Sequence, residues 1–526
     1  MKNSTMKLKW LPFFILILSS QFALSQSAGK DSLRSLTILY TNDLHSHFEP
    51  MQVKWISETR KIGGFANIAT IVKTAKKSNP NTLYFDAGDY FTGPLFSSLT
   101  KGEAVIDVLN HLSIDAACIG NHEFDHGWQN LDEQLKKATF PILNGNIFYS
   151  GTDRLFWNHP YMILKKNGIR IGVIGLHGKY AFYDTISDIM VRGIEARDEE
   201  IYLKKYINEL EGKVDLVVLL VHEGIPGKQS SAGLTDAERN LQRDIELAKR
   251  VPGVDIIITG HAHQGTPQPL ISNGTIIIST DALGMEVGKL DIQYDPGKDK
   301  ITGFSNILNY VFDDEIEDDA DTKHVIDKWK NKLSEIADQK ICTISHPLTR
   351  SYSMESLMGN MVADAMLHAY PDNDLAITNS GGLRDDITGP VVTMGNLISA
   401  FPFPNTIVLV EMNGKDIKDL FEHAAGLTNG ILQVSEGVEM HYSVSAADGN
   451  KVVLYKLNGK TFEDDKIYKV VTSNFLADGG DGFLAFRRAL SKKDTRVEVL
   501  QTMIQYLKSF DVYKPQFFGR VVMIKP

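Results

Sequence analysis

The stretch Cys118-Ile119-Gly120-Asn121-His122-Glu123-Phe124-Asp125 closes a largely apolar run, residues 114–119, with a glycine, an amide, an imidazole and a carboxylate. A strand that ends this way suits phosphoester chemistry. The glycine permits a sharp turn. The Asn121 side-chain oxygen can ligate a divalent metal. His122 can face a phosphoryl group while Asp125, three residues on, fixes its tautomer. The same residues would also serve an ordinary strand-to-helix loop with a helix N-cap, so the reading depends on four further strand ends. Asp43 and His45 follow the run 36–42, and Asp89 follows 83–85 within Asp86-Ala87-Gly88-Asp89. His222 follows 216–221, and Gly260-His261-Ala262-His263 follows 255–259.

Ligands in open α/β folds gather at the carboxyl ends of strands. Five strand ends that deliver Asp, His, Asp, Asn, His, His and His in order are hard to explain as core packing. The seven side chains make two four-ligand sites if one carboxylate is shared, and Asp89 is the natural bridge. One site would then be Asp43, His45, Asp89 and His263, and the other Asp89, Asn121, His222 and His261. Imidazole and carboxylate without thiolate suit Zn²⁺, Mn²⁺ or Fe, and disfavour Ca²⁺ or a structural zinc. Two such ions ~3.5–4 Å apart clamp a phosphoryl group and acidify a water between them. His122 is left free to protonate a leaving group or stabilise transition-state oxygens, with Asp125 behind it.

The elements that must position these residues read as alternating strand and helix. Strands are expected at 36–40, 82–85, 116–119, 171–174, 216–221 and 255–258, with further sheet at 275–279 and 288–294, which is the pattern of a layered α/β domain. Seven acids then crowd residues 313–321, an exposed linker. Val325, Trp329, Leu333 and Ile336 recur at helical spacing over 322–338, predicting an amphipathic helix between two domains. A second, smaller α/β unit begins near Ile341. Its first helix carries Met358, Met361, Val362, Ala365 and Met366 on one face, a core stripe, and strands are expected at 375–378, 408–412 and 469–472.

Lys2, Lys7 and Lys9 precede the apolar run 10–18, and Ala23-Leu24-Ser25 offers small residues for cleavage: a signal peptide over 1–25. The run is short for a membrane span, which needs roughly 20 apolar residues, and no later stretch reads as a stable membrane anchor. The chain is expected to be periplasmic or secreted. A net charge of −10 argues against a nucleic acid polymer as partner. It leaves room for a small phosphorylated substrate whose charge a metal offsets. Cys118 and Cys342 are too few for a disulfide framework and read as buried small hydrophobes. His111, His126, His177, His324, His346, His368, His423 and His441 read as structural or surface residues, and His47 stays outside the ligand set.

Asp43-x-His45, Gly88-Asp89, Gly120-Asn121-His122-Glu123-x-Asp125, His222 and Gly260-His261-x-His263 resemble the metallophosphoesterase signature. Gly63-Gly64-Phe65-Ala66 resembles the glycine pair of its secreted 5′-nucleotidase branch. Three later motifs resemble that branch's substrate-binding segments: Asn379-Ser380-Gly381-Gly382-Leu383-Arg384, Phe401-Pro402-Phe403, and Asn474-Phe475 through Asp481-Gly482-Phe483. The resemblance spans nearly the whole chain after residue 25. It implies a metallophosphoesterase domain over 30–312, an α/β/β/α sandwich. A linker and helix over 313–340 would lead to a 5′-nucleotidase C-terminal domain over 341–526. It further implies that Arg384 grips phosphate or ribose, Phe403 and Phe475 flank a base, Asp481 accepts ribose hydroxyls and Asn379 reaches the base edge. From the residues alone, the two phenylalanines read equally well as loop anchors. Tyr352 and Ser353 stand where relatives often carry an arginine, with Arg350 just upstream, and Pro404 stands where a glycine is usual. The implied activity is removal of the 5′-phosphate from nucleoside monophosphates, extending to nucleoside di- and triphosphates or UDP-sugars. The alternatives are a 2′,3′-cyclic-nucleotide phosphodiesterase with 3′-nucleotidase activity and, from another class, a non-catalytic nucleotide-binding protein.

Overall fold

A computed structural model describes residues 32–53, 55–225, 235–427 and 430–524. The expected signal peptide lies outside the described residues. The first unit is built on two six-stranded sheets packed face to face. One runs Lys300–Tyr310, Glu286–Asp295, Arg34–Thr41, Thr82–Asp86, Ala116–Cys118, Ile142–Leu143. The other runs Leu270–Ser272, Thr275–Ile278, Ile256–Gly260, Leu216–His222, Ile169–His177, Tyr161–Lys166. Central neighbours are parallel: Arg34–Thr41 beside Thr82–Asp86, and Leu216–His222 between Ile169–His177 and Ile256–Gly260.

Central strands of this kind are buried on both faces, so they read as continuous apolar runs rather than alternating ones. Ile38, Tyr40, Phe85 and Cys118 of the first sheet meet Val173, Val218, Leu220 and Ile258 of the second in a core between the sheets. The opposite face of the first sheet, with Leu39, Tyr84 and Ala117, packs under helices Phe65–Ser78 and Glu103–Leu109. The outer face of the second sheet, with Ile174, Leu219 and Ile257, packs under Glu199–Leu210 and Gln242–Arg250. The order helix, sheet, sheet, helix is the expected α/β/β/α sandwich.

The helix expected between the units forms as Ala320–Ala337. Val325, Ile326, Trp329 and Leu333 enter the first unit's core, and Trp329 donates its indole N–H to Asp107 at 2.9 Å. Ile336, expected on the same stripe, is instead 49% exposed in the helix's last turn. The helix also touches Met394–Ala400 of the second unit.

The second unit centres on a five-stranded sheet ordered Leu432–Val434, Leu375–Asn379, Ile467–Ser473, Thr406–Asn413, Ser491–Glu498. Helix Leu357–Ala369 buries the whole methionine stripe against it, and Gly414–Ala425 covers another part of the core. Cys118 and Cys342 are both buried and free, as expected. The units meet through short polar contacts. The Leu95 N–H donates to Ser399 Oγ, and Ser98 Oγ donates to the Pro402 carbonyl, each at 3.1 Å.

Candidate active site

All seven expected ligands and His122 converge where the strands of both sheets end. Getting there requires unusual backbone. Asp43, His45, Asp89, His261 and His263 all adopt positive φ, between 46° and 74°, a region few L residues other than Asn, Asp and His enter. Cross-loop bonds hold it: the N–H groups of Asp43 and His45 donate to the carbonyls of Gly88 and Asp89, both at 2.9 Å.

Gly120 serves a different end from the one its place in the motif suggests. Its own φ is ordinary. What matters is space, because a Cβ there would lie 2.5 Å from the Asp89 nitrogen and press on the Asp89 carboxylate. Glu123, given no role by sequence, staples the same loops. Its buried carboxylate accepts N–H bonds from Gly120 at 2.6 Å, Phe91 at 2.9 Å and Asp89 at 3.0 Å.

The ligand atoms face one another at close range. His222 donates Nδ1–H to the Ala87 carbonyl at 2.8 Å, so its Nε2 points inward. That Nε2 lies 3.0 Å from both Asn121 Oδ1 and Asp89 Oδ2, and His261 Nδ1 lies 2.9 Å from the same Asn121 oxygen. His45 likewise gives Nδ1–H to the Thr92 carbonyl at 2.9 Å and turns Nε2 toward His263 Nε2, 3.0 Å away. Asp43 Oδ1 is 3.6 Å from His263 Nε2 and 4.0 Å from His45 Nε2. Asp89 Oδ2 sits between the groups, 3.0 Å from His222 and 3.9 Å from His45, buried and without a well-formed hydrogen bond.

Acceptors this close repel unless cations lie among them, and the donor set fits divalent ions. Burial pulls His45, His261 and His263 well down, so these imidazoles are neutral and able to ligate. Burial also pushes the Asp43 carboxyl up to about 6, against the pull of His222. His122 stands beside it. Its Nδ1 is 2.7 Å from Asp125 Oδ2, which also accepts the Thr92 hydroxyl at 2.6 Å. Burial lowers the His122 pKa, but Asp125 and Asp89 outweigh it and hold the ring above its ordinary value.

The second unit supplies the opposite wall of the same cavity, about 470 Å³ in volume. Asn379, Arg384, Phe403, Phe475 and Asp481 all line it. Arg384 Nη2 is buried without a partner, and its charge helps depress His45 and His263, so the guanidinium faces the metal-ligand cluster. Asn379 Nδ2 donates to Asp481 at 2.8 Å. Phe403 lies 5.7 Å from the His122 ring, with Arg384 5.8 Å from its own centroid. Phe475 packs over Gly480.

Residues 36–265 match the calcineurin-like phosphoesterase family, and residues 337–488 match the 5′-nucleotidase C-terminal domain. The Homo sapiens 5′-nucleotidase is 30% identical, covering 92% of this chain and 90% of its own. The chain belongs to the 5′-nucleotidase family. The Rattus norvegicus 5′-nucleotidase is 29% identical over 98% of this chain and 94% of its own. Among solved structures, a 5′-nucleotidase precursor from Thermus thermophilus superposes with a TM-score of 0.81 at 26% identity, covering 93% of this chain and 99% of that one.

Several residues of this 5′-nucleotidase site carried no decisive sequence signal. Arg350 lines the cavity and donates to the Arg384 carbonyl, bringing a second guanidinium to the wall beside Tyr352. His47 lines it too, with Nδ1–H donated to the His45 carbonyl at 2.9 Å, which makes it a brace for the first loop. His423, read as structural, holds the Asp481 carbonyl at 2.8 Å. The chemistry on view is that of a phosphoric monoester hydrolase: a candidate metal-ligand cluster, an imidazole–carboxylate pair and a guanidinium with one free nitrogen share one cavity.

Proposed function

We propose that this 5′-nucleotidase family member removes the 5′-phosphate from nucleoside monophosphates outside the cytoplasm, using two divalent ions such as Zn²⁺ or Mn²⁺. The observation that carries it is the single cavity in which His122 and the ligand cluster of one domain face Arg384, Phe403, Phe475 and Asp481 of the other. Asp43, His45, Asp89 and His263 would hold one ion, and Asp89, Asn121, His222 and His261 the other. Bound there, the ions supply Lewis acidity and an acidified water for attack on phosphorus.

The chain's own residues do the rest. Arg384 anchors phosphate oxygens through charge-assisted bonds. Phe403 and Phe475 offer π faces to the base, which stacking favours without reading base identity. As the P–O5′ bond breaks, imidazolium His122 delivers its Nε2 proton to the leaving oxygen while Asp125 keeps Nδ1–H in place. Export rests on the signal-like segment at 1–25. Among the described residues no helix is long and apolar enough to cross a membrane.

The test is phosphate release from AMP, 3′-AMP, cyclic 2′,3′-AMP and a UDP-sugar at equal concentration, with and without metal chelation. Chelator-sensitive preference for AMP supports the reading. A preference for 3′-AMP or the cyclic ester replaces it with the phosphodiesterase alternative, and no turnover at all leaves a nucleotide-binding protein.

A further inference from the structure

Helix Lys179–Thr185 of the first domain meets the turn Gly480–Gly482 of the second. That turn presents Asp481 at φ 53°, fixed through its carboxylate by Asn379 and through its carbonyl by His423. From the helix, Tyr180 lines the same cavity as Asp481, Asn379 and Phe475. Its ring is braced by Arg243, whose guanidinium carbon lies 4.2 Å from the centroid. Around the phenol stand Arg243 from helix Gln242–Arg250, Glu223 after strand Leu216–His222, Asp184 on its own helix and Asp481 across the cleft. Burial, with the charges of Asp184 and Asp481, pushes the phenol up to about 12, so it remains a neutral hydroxyl that can both donate and accept. Among the described residues that hydroxyl has no hydrogen-bond partner.

A polar hydroxyl on a braced ring, lining a ligand cavity and unpaired, has a geometric use. It faces the residue read as the acceptor for ribose hydroxyls, but from the opposite domain. We propose that Tyr180 is a specificity-determining residue of the nucleoside subsite, its hydroxyl binding a sugar hydroxyl opposite Asp481. The inference rests on the reading of Asp481 as the ribose acceptor. It makes the nucleoside subsite composite. The sugar is gripped from both sides only while the domains face each other as they do here, which is also when the phosphate faces His122. Recognition of the sugar and alignment of the phosphate are thereby linked.

The experiment compares kcat and KM for AMP, 2′,3′-dideoxy-AMP and p-nitrophenyl phosphate in full-length wild type, Tyr180→Phe, Tyr180→Ala and Asp481→Ala. Tyr180→Phe keeps the ring under Arg243 and removes only the hydroxyl. Its ratio of kcat/KM for AMP to that for p-nitrophenyl phosphate should fall about 2- to 13-fold, the span of one neutral hydrogen bond. The fall should appear in KM and vanish with the dideoxy nucleotide. Tyr180→Ala should lose at least as much, with a thermal midpoint measured alongside to show that it folds. An equal loss on AMP and dideoxy-AMP, or none on either, overturns the inference. If Asp481→Ala separates the two nucleotides while Tyr180→Phe does not, only the Tyr180 inference falls. If Asp481→Ala also fails to separate them, the ribose reading falls and takes the inference with it.

Discussion

Replacing Asp125 with asparagine tests whether His122 works as an acid. Asp125 Oδ2 lies 2.7 Å from His122 Nδ1 and accepts the Thr92 hydroxyl at 2.6 Å. In Asp125→Asn an amide oxygen at the Oδ2 position still accepts from both the Thr92 hydroxyl and Nδ1–H, but it carries no charge. The imidazolium thereby loses its carboxylate partner. A hydrogen bond to a charged group is worth about 1.5–3 kcal/mol. At about 1.4 kcal/mol per unit, the imidazolium pKa drops by about one to two units. A general acid acts while protonated, so the alkaline limb of the kcat–pH profile should move down by that amount. Above it, kcat should fall by about 10- to 150-fold. The assay is phosphate release from saturating AMP across the neutral and alkaline range, with metal content measured by mass spectrometry. An alkaline limb that stays in place refutes the acid role. A variant stripped of metal shows instead that Asp125 supports the ligand shell.

His122→Ala should lower turnover by about 10²–10⁴ with metal content unchanged, and loss of metal would make His122 a ligand. Asp89→Asn should abolish activity and lower bound metal, because Asp89 Oδ2 lies between both ligand groups; two ions per chain in an inactive variant would refute the shared carboxylate. Gly120→Ala should also lower metal content, since its Cβ would press on Asp89, and wild-type loading would show that the loop yields. Phe475→Ala should raise KM for AMP roughly 5- to 150-fold, about 1–3 kcal/mol of stacking, with little change on p-nitrophenyl phosphate; equal losses on both would mark Phe475 as a packing residue.

The sequence by itself determined which residues of this protein could form the candidate metal site. Central strands buried on both faces appear as uninterrupted apolar runs, and a metal ligand must be one of few side chains, so Asp43, Asp89, Asn121, His222 and His261 stand out at the strand ends. The methionine stripe of helix Leu357–Ala369 was equally legible, because helical spacing maps directly onto one buried face. What the tertiary structure alone decided depends on contacts between residues distant in the chain. That Gly120 is needed for space rather than for its turn follows from the approach of Asp89, 31 positions earlier. Glu123 looks like any acid until three N–H groups from two loops close on it. Ile336 fits the helical stripe, yet nothing local says that it is left 49% exposed. Arg350, His423 and Tyr180 gain their places only when one domain is set against the other or one loop against a distant helix. Spacing along a strand or helix is a local property written residue by residue, whereas burial and charge across a cleft are set by which surfaces meet.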